Sequence, residues 1–410
     1  MRPHFLVSGM AFAWALCVGI QPSGQAAPVR FAPQPHDHIA LVGNALAERM
    51  QHFGWLEALF HRQFPEHELV FRNLGYAGDE VDTRLRVEDF GSPDEWLARV
   101  QADVVWVFFG FNESFRGEAR LDGFTGELRR YVDHLRSQQY NGRSAPRIVL
   151  FSPIAAERHR DPNFPDPTER NRLLALYTRA IQQVAQEKEV PFVDLFQPTL
   201  RLYAEAADSL TVNGIHLSEA GYRALAPVAF RALLGITPPR LDEPDFEKLR
   251  QAVLEKNALW FSRYRTVDGY NVYGGRSHLS YNGIKNRDVL LREMEMREVM
   301  TANRDRRIWA VARGGDLVVK DDNLPPPIEV PTNKRGPNPD GSFNFLSGEE
   351  AITKMTSAQG CRINLFASEE QFPLLANPVQ MAFDTRGRLW VAAWPNYPAR
   401  TPWSLSLIHI

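Results

Sequence analysis

Four short segments in the first half of the chain carry residue types that acyl-transfer chemistry uses. An imidazole can accept a proton, and amide side chains or backbone N–H groups can stabilise developing negative charge. The segments are Gly43-Asn44-Ala45, Asn73-Leu74-Gly75-Tyr76-Ala77-Gly78, Gly110-Phe111-Asn112-Glu113 and Asn213-Gly214-Ile215-His216-Leu217. None of them contains a serine or a cysteine. If they form one site, that site lacks the usual nucleophile.

The apolar pattern around these segments predicts the elements that hold them. Continuous apolar runs are typical of parallel strands buried on both faces. They occupy Ile39–Val42, Leu69–Phe71, Val104–Phe109, Ile148–Phe151 and Phe192–Leu195. Amphipathic stretches lie between them, at Leu46–Phe60, Phe124–Leu135 and Arg170–Glu187. This alternation predicts an α/β fold, a doubly wound parallel sheet of five strands over about residues 36–236.

One helix start and the placement of the four segments support this prediction. Ser92-Pro93-Asp94-Glu95 combines a capping hydroxyl, a proline at the first helical position and a glutamate three residues on. The four segments follow predicted strands or precede the last predicted helix. Ligands in parallel sheets bind at the carboxyl ends of the strands. The sequence therefore predicts that the segments meet in a single site.

The order and spacing of the segments resemble the four sequence blocks of the SGNH, or GDSL-type, ester hydrolases. The resemblance covers about residues 36–236, roughly half of the chain. It implies a flavodoxin-like sandwich and activity towards acyl or acetyl esters, including esters on carbohydrate. In that family a serine attacks the carbonyl, a histidine takes its proton and an aspartate orients the histidine.

The resemblance implies a role for each matching residue. His216 matches the general base, Asn213 stands where the orienting aspartate is expected, and Ala45 occupies the position of the nucleophile. The implied oxyanion donors are the backbone N–H groups of Ala45 and Gly78 and the side chain of Asn112. The triad is therefore degenerate at two of its three positions.

Two further acidic positions depart from the family pattern. Asn44 replaces the aspartate of the first block, and Glu113 replaces the aspartate of the third. Losing the orienting aspartate alone costs about 10⁴ in turnover in serine proteases, and about 10³–10⁴ over water remains without the triad. Three interpretations stay open: a hydrolase in which His216 activates water, a catalytically silent module that binds a glycan, and a purely structural domain.

Each candidate residue also has a structural interpretation. His216 could be an ordinary loop histidine, Asn112 a helix cap, and Gly78 a turn glycine. Asp79 and Glu80 could bind a sugar hydroxyl or activate water, or they could form a solvated acidic turn. Hydroxyls near predicted strand ends are weak candidates for a substitute nucleophile, since none lies at the turn that Ala45 occupies. They are Ser114, Ser152, Thr211 and Ser218.

The composition of the chain indicates which kinds of ligand it could bind. The 410 residues are 44% hydrophobic, enough for a sizeable core, and a formal net charge of -2 argues against nucleic-acid binding. We expect a small-molecule or carbohydrate ester ligand, with no cofactor. The His36-Asp37-His38 triplet is interpreted as a solvated linker rather than a metal site, and no Cys-x-x-Cys-His haem motif is present. Nothing in the sequence indicates the oligomeric state.

The N-terminus predicts export. Arg2, an apolar run from about Phe5 to Ile20, and Ser23-Gly24-Gln25-Ala26-Ala27 are typical of a signal peptide over residues 1–26. We therefore expect a periplasmic or extracellular protein with no membrane span in the mature chain, and an uncleaved anchor is the alternative. Cleavage would leave Cys361 as the only cysteine and exclude an intrachain disulfide.

The second half of the chain predicts three further parts. Residues 242–320 are mostly helical in pattern, residues 325–345 form a Pro-rich linker, and a new domain begins over residues 348–403. Its pattern from Phe383 to Val391 resembles a blade of the exported propeller dehydrogenases of the sorbosone/glucose type. About 60 residues are too few to close a propeller of four-stranded blades, so we expect a truncated start of one.

Overall fold

A parallel five-stranded sheet forms the centre of the first half of the chain. The computed structural model describes residues 30–393 apart from 87, 160, 267–268, 331–335 and 342–343, together with the backbone of 406–409. The strands are β1 (His38–Gly43), β2 (Val70–Asn73), β3 (Val104–Phe108), β4 (Arg147–Phe151) and β5 (Phe192–Val193). Their order is β2-β1-β3-β4-β5, with every neighbouring pair parallel. The predicted α/β sheet is confirmed.

Helices cover both faces of this sheet. They are α1 (Ala45–Met50), α2 (Trp55–Gln63), α3 (Pro93–Arg99), α4 (Leu121–Arg136), α5 (Thr168–Glu187), α6 (Phe196–Glu205) and α7 (Glu219–Leu234). Because side chains alternate along a strand, Ile39 and Leu41 belong to one core, and Ala40 and Val42 to the core on the opposite face. This two-sided burial explains why the strands have continuous apolar sequences.

The predicted helix start at Ser92 is present. The Ser92 hydroxyl accepts a hydrogen bond from the N–H of Glu95, and the Glu95 carboxylate accepts one from the N–H of Ser92. Pro93 occupies the first helical position of α3, where no N–H is needed. The sequence signature therefore gave the start of α3 correctly.

The amphipathic stretch predicted at residues 46–60 is helical but is divided into two helices, α1 and α2. Gly54 lies in the left-handed region at φ 68° and starts the second helix. A Cβ on Gly54 would lie 3.1 Å from Cγ1 of Val253 in a neighbouring helix. The left-handed turn and this close packing both favour glycine. The division leaves α1 as a six-residue helix that begins at Ala45.

A helical extension packs on the α2 side of the sheet. Its elements are α8 (Pro244–Phe261), a π-helical turn (Ser262–Thr266), α9 (Gly269–Val272), the hairpin strands β6 (Ser280–Tyr281) and β7 (Ile284–Lys285), and α10 (Asn286–Ala312). The indole N–H groups of Trp260 and Trp309 donate to the carbonyls of Asn73 and Leu69, next to β2. The extension therefore covers the edge strand of the sheet.

Buried charges join the extension to the sandwich. The ammonium of Lys256, in α8, lies 2.7 Å from a carboxylate oxygen of Glu57, and Lys256 is fully buried. Burial alone would raise the pKa of Glu57, but the charge of Lys256 and a hydrogen bond with His61 lower it to about 2. Glu57 is therefore held as a carboxylate inside the protein.

The C-terminal region contains the helix α11 (Gly348–Ile352) and a separate antiparallel sheet. Its strands are β8 (Pro378–Phe383), β9 (Leu389–Ala393) and β10 (Ser406–His409), in the order β10-β9-β8. The predicted signal peptide and residues 331–335 of the predicted linker lie outside the described residues. Within the described part, none of the helices has the length and apolar content that a membrane span requires.

Candidate functional site

Ala45 and His216 line one pocket at the carboxyl end of the sheet, as predicted. Its cavity volume is about 20 Å³, and further space in front of it is open to solvent. Its walls are largely apolar. They include Phe108, Phe111, Pro153, Ile154, Ile215, Leu217 and Tyr222. Two residues that are 171 positions apart in the sequence are therefore brought together by the fold. Asn44 and Ser152 are further polar residues of the lining.

The turn from β1 to α1 places Ala45 at the pocket. Gly43 has φ 139°, and a Cβ there would lie 2.3 Å from the carbonyl oxygen of Phe108, so only glycine fits. The N–H of Asn44 donates to the same oxygen at 3.2 Å. The side-chain oxygen of Asn44 accepts from the N–H of Leu46 and caps α1. The strand–turn–helix geometry of a nucleophile is therefore present, with a methyl group in place of the nucleophile.

A buried carboxylate holds the segment that carries His216. Glu157 accepts hydrogen bonds from the N–H of Leu210, at 2.9 Å, and from the N–H of Thr211, at 2.8 Å. The N–H of Val212 donates to the carbonyl of His216, which closes the turn. The loop is fixed at its base, so the imidazole has a defined direction. Sequence reasoning missed the contribution of Glu157.

Asn213 contacts His216 in the place of an orienting aspartate. Nδ2 of Asn213 lies 3.0 Å from Nδ1 of His216, and Oδ1 lies 3.1 Å from the same atom. Burial, together with the positive charge of Arg49, lowers the pKa of His216. The imidazole is therefore neutral at pH 7. Among the described residues, Nε2 of His216 has no hydrogen-bond partner and is open to a ligand.

Gly78 and Asn112 do not line this pocket. The amide Nδ2 of Asn112 donates to the carbonyl oxygens of Ala77, at 3.0 Å, and Asp79, at 2.9 Å. Both amide hydrogens are therefore used by the loop around Gly78. Because the two groups of a trans peptide point in opposite directions, the N–H of Gly78 points away from Asn112. The arrangement does not present Asn112 and Gly78 as two donors to one oxyanion, which differs from the expectation.

Gly75, and not Gly78, makes a close backbone contact in this segment. A Cβ on Gly78 would meet nothing within 4 Å, and this residue is exposed. A Cβ on Gly75 would lie 2.6 Å from the backbone N of Glu48, in α1. Gly75 therefore lets the second segment pack against the helix that begins at Ala45.

Glu113 fixes the backbone of two loops near the site. Its carboxylate accepts hydrogen bonds from the N–H of Val81, at 2.9 Å, and of Gly110, at 2.8 Å, and the residue is fully buried. Burial raises the pKa of Glu113 to about 7. The replacement of an aspartate by Glu113 thus retains an acceptor for the loop backbone. This positioning role was not predicted.

The alternative hydroxyls have structural roles. Ser152 accepts from the N–H groups of Leu195 and Phe196. Thr211 donates to Glu157, Ser114 donates to the carbonyl of Phe111, and Ser218 caps α7. Each is engaged by the protein, so none stands in as a nucleophile.

The acidic turn after Gly78 is paired with arginines. Asp79 is 4% exposed, and its carboxylate accepts hydrogen bonds from Nη1 and Nη2 of Arg86, at 2.9 and 2.8 Å. Glu80 forms an ion pair of 2.8 Å with Arg116. The interpretation of Asp79 as part of a solvated turn is therefore wrong, and its carboxylate is not free for a sugar hydroxyl.

Sequence reasoning also missed the cations around the second segment. The guanidinium of Arg265, from the extension, lies 3.6 Å from the centre of the Tyr76 ring, and that of Arg86 lies 3.8 Å from it. Arg265 also pairs with Glu48 of α1 at 3.0 Å. Residues from the extension therefore brace the loop next to the pocket.

Two regions of the chain are similar to known protein families. Residues 47–224 match the GDSL-like lipase/acylhydrolase family, and residues 347–406 match DUF7133, a domain of unknown function. The chain is 28% identical over 207 residues to the GDSL esterase/lipase CPRD49 of Arabidopsis thaliana, covering 48% of this chain and 78% of that protein. It is 25% identical over 217 residues to the GDSL esterase/lipase WDL1 of Oryza sativa subsp. japonica, with coverages of 50% and 80%.

Solved structures give a distant likeness. Axe2, an acetylxylan esterase from Geobacillus stearothermophilus, is 20% identical and covers 49% of this chain and 95% of its own, with a TM-score of 0.38. The match of the C-terminal residues to DUF7133 does not show a propeller, so that part of the expectation stays a prediction.

Proposed function

We propose that the chain, whose first half carries a GDSL-type hydrolase domain, binds an acyl or acetyl ester without cleaving it by the serine route. The observation that carries this proposal is Ala45 at the strand–turn–helix position beside His216. A methyl group cannot attack a carbonyl, and the neighbouring hydroxyls are all engaged elsewhere.

The lining of the pocket supports an acyl ligand. Its cavity is small, about 20 Å³, and the space in front of it is open to solvent. Aromatic and aliphatic side chains such as Phe108 and Ile154 form the wall, which suits the hydrocarbon part of an acyl group. Polar groups are confined to the end at Asn44, Ala45 and His216, where the carbonyl would lie. We expect the ester group to be attached to a carbohydrate, because an exported protein meets polysaccharides outside the cell.

The second candidate function is hydrolysis by water. His216 favours it in one respect, because its imidazole is neutral and lines the pocket. To act as a general base, the ring would have to accept a proton at Nε2. The backbone N–H of Ala45 would then stabilise the oxyanion, with Gly78 and Asn112 as the other donors after rearrangement of their loop. The contacts of Asn112 with Ala77 and Asp79 weigh against this alternative.

The proposal also concerns the location of the protein and the role of its C-terminal domain. We propose that the protein is exported, and that the domain presents a glycan to the adjoining C-terminal domain, which resembles the propeller dehydrogenases in its sequence pattern.

Hydrolysis of a small activated ester such as p-nitrophenyl acetate tests the proposal. The wild-type chain is compared with Ala45→Ser and with Ala45→Ser/Asn213→Asp. We expect no wild-type turnover above background and a gain of about 10²-fold or more in the double variant, since both missing triad groups return. Wild-type turnover that disappears in His216→Ala would establish the water-activating hydrolase instead.

A further inference from the structure

We propose that the pocket at Ala45 binds a carboxylate, so that its preferred ligand is a free carboxylic acid rather than the corresponding neutral ester. This inference rests on the proposed function, because it concerns the same pocket. It follows from the hydrogen-bonding character of the polar end, which offers donors and no carboxylate among its described lining residues.

Asn44 provides the first donor. The residue is 3% exposed and lines the pocket. Its oxygen caps α1 by accepting from the N–H of Leu46, whereas its Nδ2 is buried and has no partner within the described part of the chain. An unpaired buried donor is unfavourable, and folded proteins rarely retain one without a reason. A ligand oxygen would satisfy this amide.

His216 provides the second donor, because of the way Asn213 is oriented. Oδ1 of Asn213 accepts from the backbone N–H of Ile215, at 3.3 Å, and of His216, at 3.0 Å. These bonds fix the amide with its oxygen towards the backbone. Nδ2 is then the group with hydrogens available for Nδ1 of His216, at 3.0 Å. Although Oδ1 lies 3.1 Å from Nδ1, its acceptor directions are already occupied.

The tautomer follows from this hydrogen bond. With Nδ1 accepting from Asn213, a neutral imidazole carries its proton on Nε2. Nε2–H then donates into the pocket and does not accept a proton from water or a hydroxyl. Asn44 and His216 therefore both require an acceptor atom on the ligand.

The local charge favours an anionic acceptor over a neutral one. Arg49 lies one helical turn after Ala45, and its guanidinium is 3.5 Å from the carbonyl oxygen of Leu217, next to His216. The neighbouring carboxylate of Glu48 is already paired with Arg265 at 3.0 Å. Arg49 is the charged group that acts on His216, and its positive charge stabilises a carboxylate at this end of the pocket more than an ester carbonyl.

The apolar wall determines the rest of the ligand. The aromatic and aliphatic side chains described above form an apolar surface on which a short hydrocarbon tail next to the carboxylate would pack. We therefore assign the ligand to the class of short aliphatic or aromatic carboxylates.

Isothermal titration of the full chain with butyrate, methyl butyrate and butyramide at pH 7 tests the inference. We expect butyrate to bind at least about tenfold more tightly than its ester. In Asn44→Asp, a carboxylate returns to the polar end, so the preference for butyrate should be lost while methyl butyrate still binds. The matched control is Asn282→Asp, in the exposed turn between β6 and β7, which should behave as the wild type.

The outcomes separate the two proposals. Equal or tighter binding of the ester would overturn the carboxylate inference and leave the proposed function standing. Binding of none of the three probes would overturn both. If Asn44→Asp fails to fold by circular dichroism, His216→Ala replaces it: loss of the second donor should weaken butyrate binding more than methyl butyrate binding, and unchanged affinity for butyrate would contradict the inference.

Discussion

Nδ2 of Asn213 lies 3.0 Å from Nδ1 of His216. An amide at this distance orients the ring but carries no charge, so it cannot stabilise an imidazolium ion as an aspartate does. Burial and the charge of Arg49 also oppose protonation of the ring. The pair therefore keeps the geometry of a catalytic dyad and loses the electrostatics that proton transfer from a nucleophile needs.

Asn213→Asp should raise the pKa of His216, because a carboxylate beside Nδ1 stabilises the charged ring. It should also move the proton of the neutral ring from Nε2 to Nδ1. ¹⁵N-resolved NMR of the imidazole across a pH series measures both effects.

His134 is the internal reference, since it lies on α4 and pairs with Asp94. Its ¹⁵N signals should coincide in Asn213→Asp and the wild type. An unchanged pKa of His216 would show that Asn213 does not control the ring.

Glu113→Gln should make stability less dependent on pH. Burial raises the pKa of Glu113 from 4.5 to about 7, so the folded chain binds more protons than the unfolded chain between these values. The free energy of unfolding therefore falls as pH rises through this window, by about 3 kcal/mol from this group. Urea unfolding of the variant and the wild type at pH 4.5, 6 and 7.5 measures the difference.

Glutamine also loses one of the two acceptors that hold Val81 and Gly110, which costs about 1–2 kcal/mol. The variant should accordingly be less stable than the wild type at low pH and more stable than the wild type above pH 7, because only the wild type loses about 3 kcal/mol between the two. A parallel pH profile for the two proteins would mean that Glu113 does not titrate in this range.

Lys256→Met should destabilise the chain by about 3–5 kcal/mol, because it leaves the buried carboxylate of Glu57 without its partner. The double variant Lys256→Met/Glu57→Leu should recover much of this loss, since no uncompensated charge remains. Chemical denaturation of the three proteins measures the effect. A double variant as unstable as the single one would assign the loss to packing rather than to charge.

Arg265→Ala should weaken ligand binding about two- to tenfold without unfolding the chain. The substitution removes the ion pair with Glu48 and the contact with the Tyr76 ring, so the loop beside the pocket loses its brace. Calorimetry with the ligand series, next to Arg276→Ala at an exposed position of the extension, separates this effect from a general change of charge. Equal ligand affinity of the two variants would show that Arg265 does not contribute to ligand binding.

The sheet was predictable because strands that are buried on both faces have uninterrupted apolar sequences. The run at Val104–Phe109 differs from β3 by one residue, and Ile148–Phe151 lies within β4. The division between α1 and α2 was not predictable from periodicity, since Gly54 sits within a continuous amphipathic stretch. Its left-handed backbone depends on the packing of α8, which lies about 200 residues away in the chain.

The site was predictable only for segments whose own residue types indicate a chemical role. Ala45 and His216 meet as expected, because both lie at the carboxyl edge of the sheet. The contacts of Asn112 and Glu113 depend on which loop each side chain faces, and that is set by tertiary structure. Arg49 and Arg265 gave no signal, because isolated arginines on helices are usually solvated.

The measurement that tests the central claim most directly follows an acyl ester and the imidazole of His216 in one NMR experiment. The full chain is mixed with methyl butyrate, and the His216 signals and the ester signals are recorded over hours. We expect saturable shifts of the His216 signals and an ester that stays intact, because Ala45 supplies no nucleophile. Release of butyrate and methanol by the wild type, abolished in His216→Ala, would contradict this account.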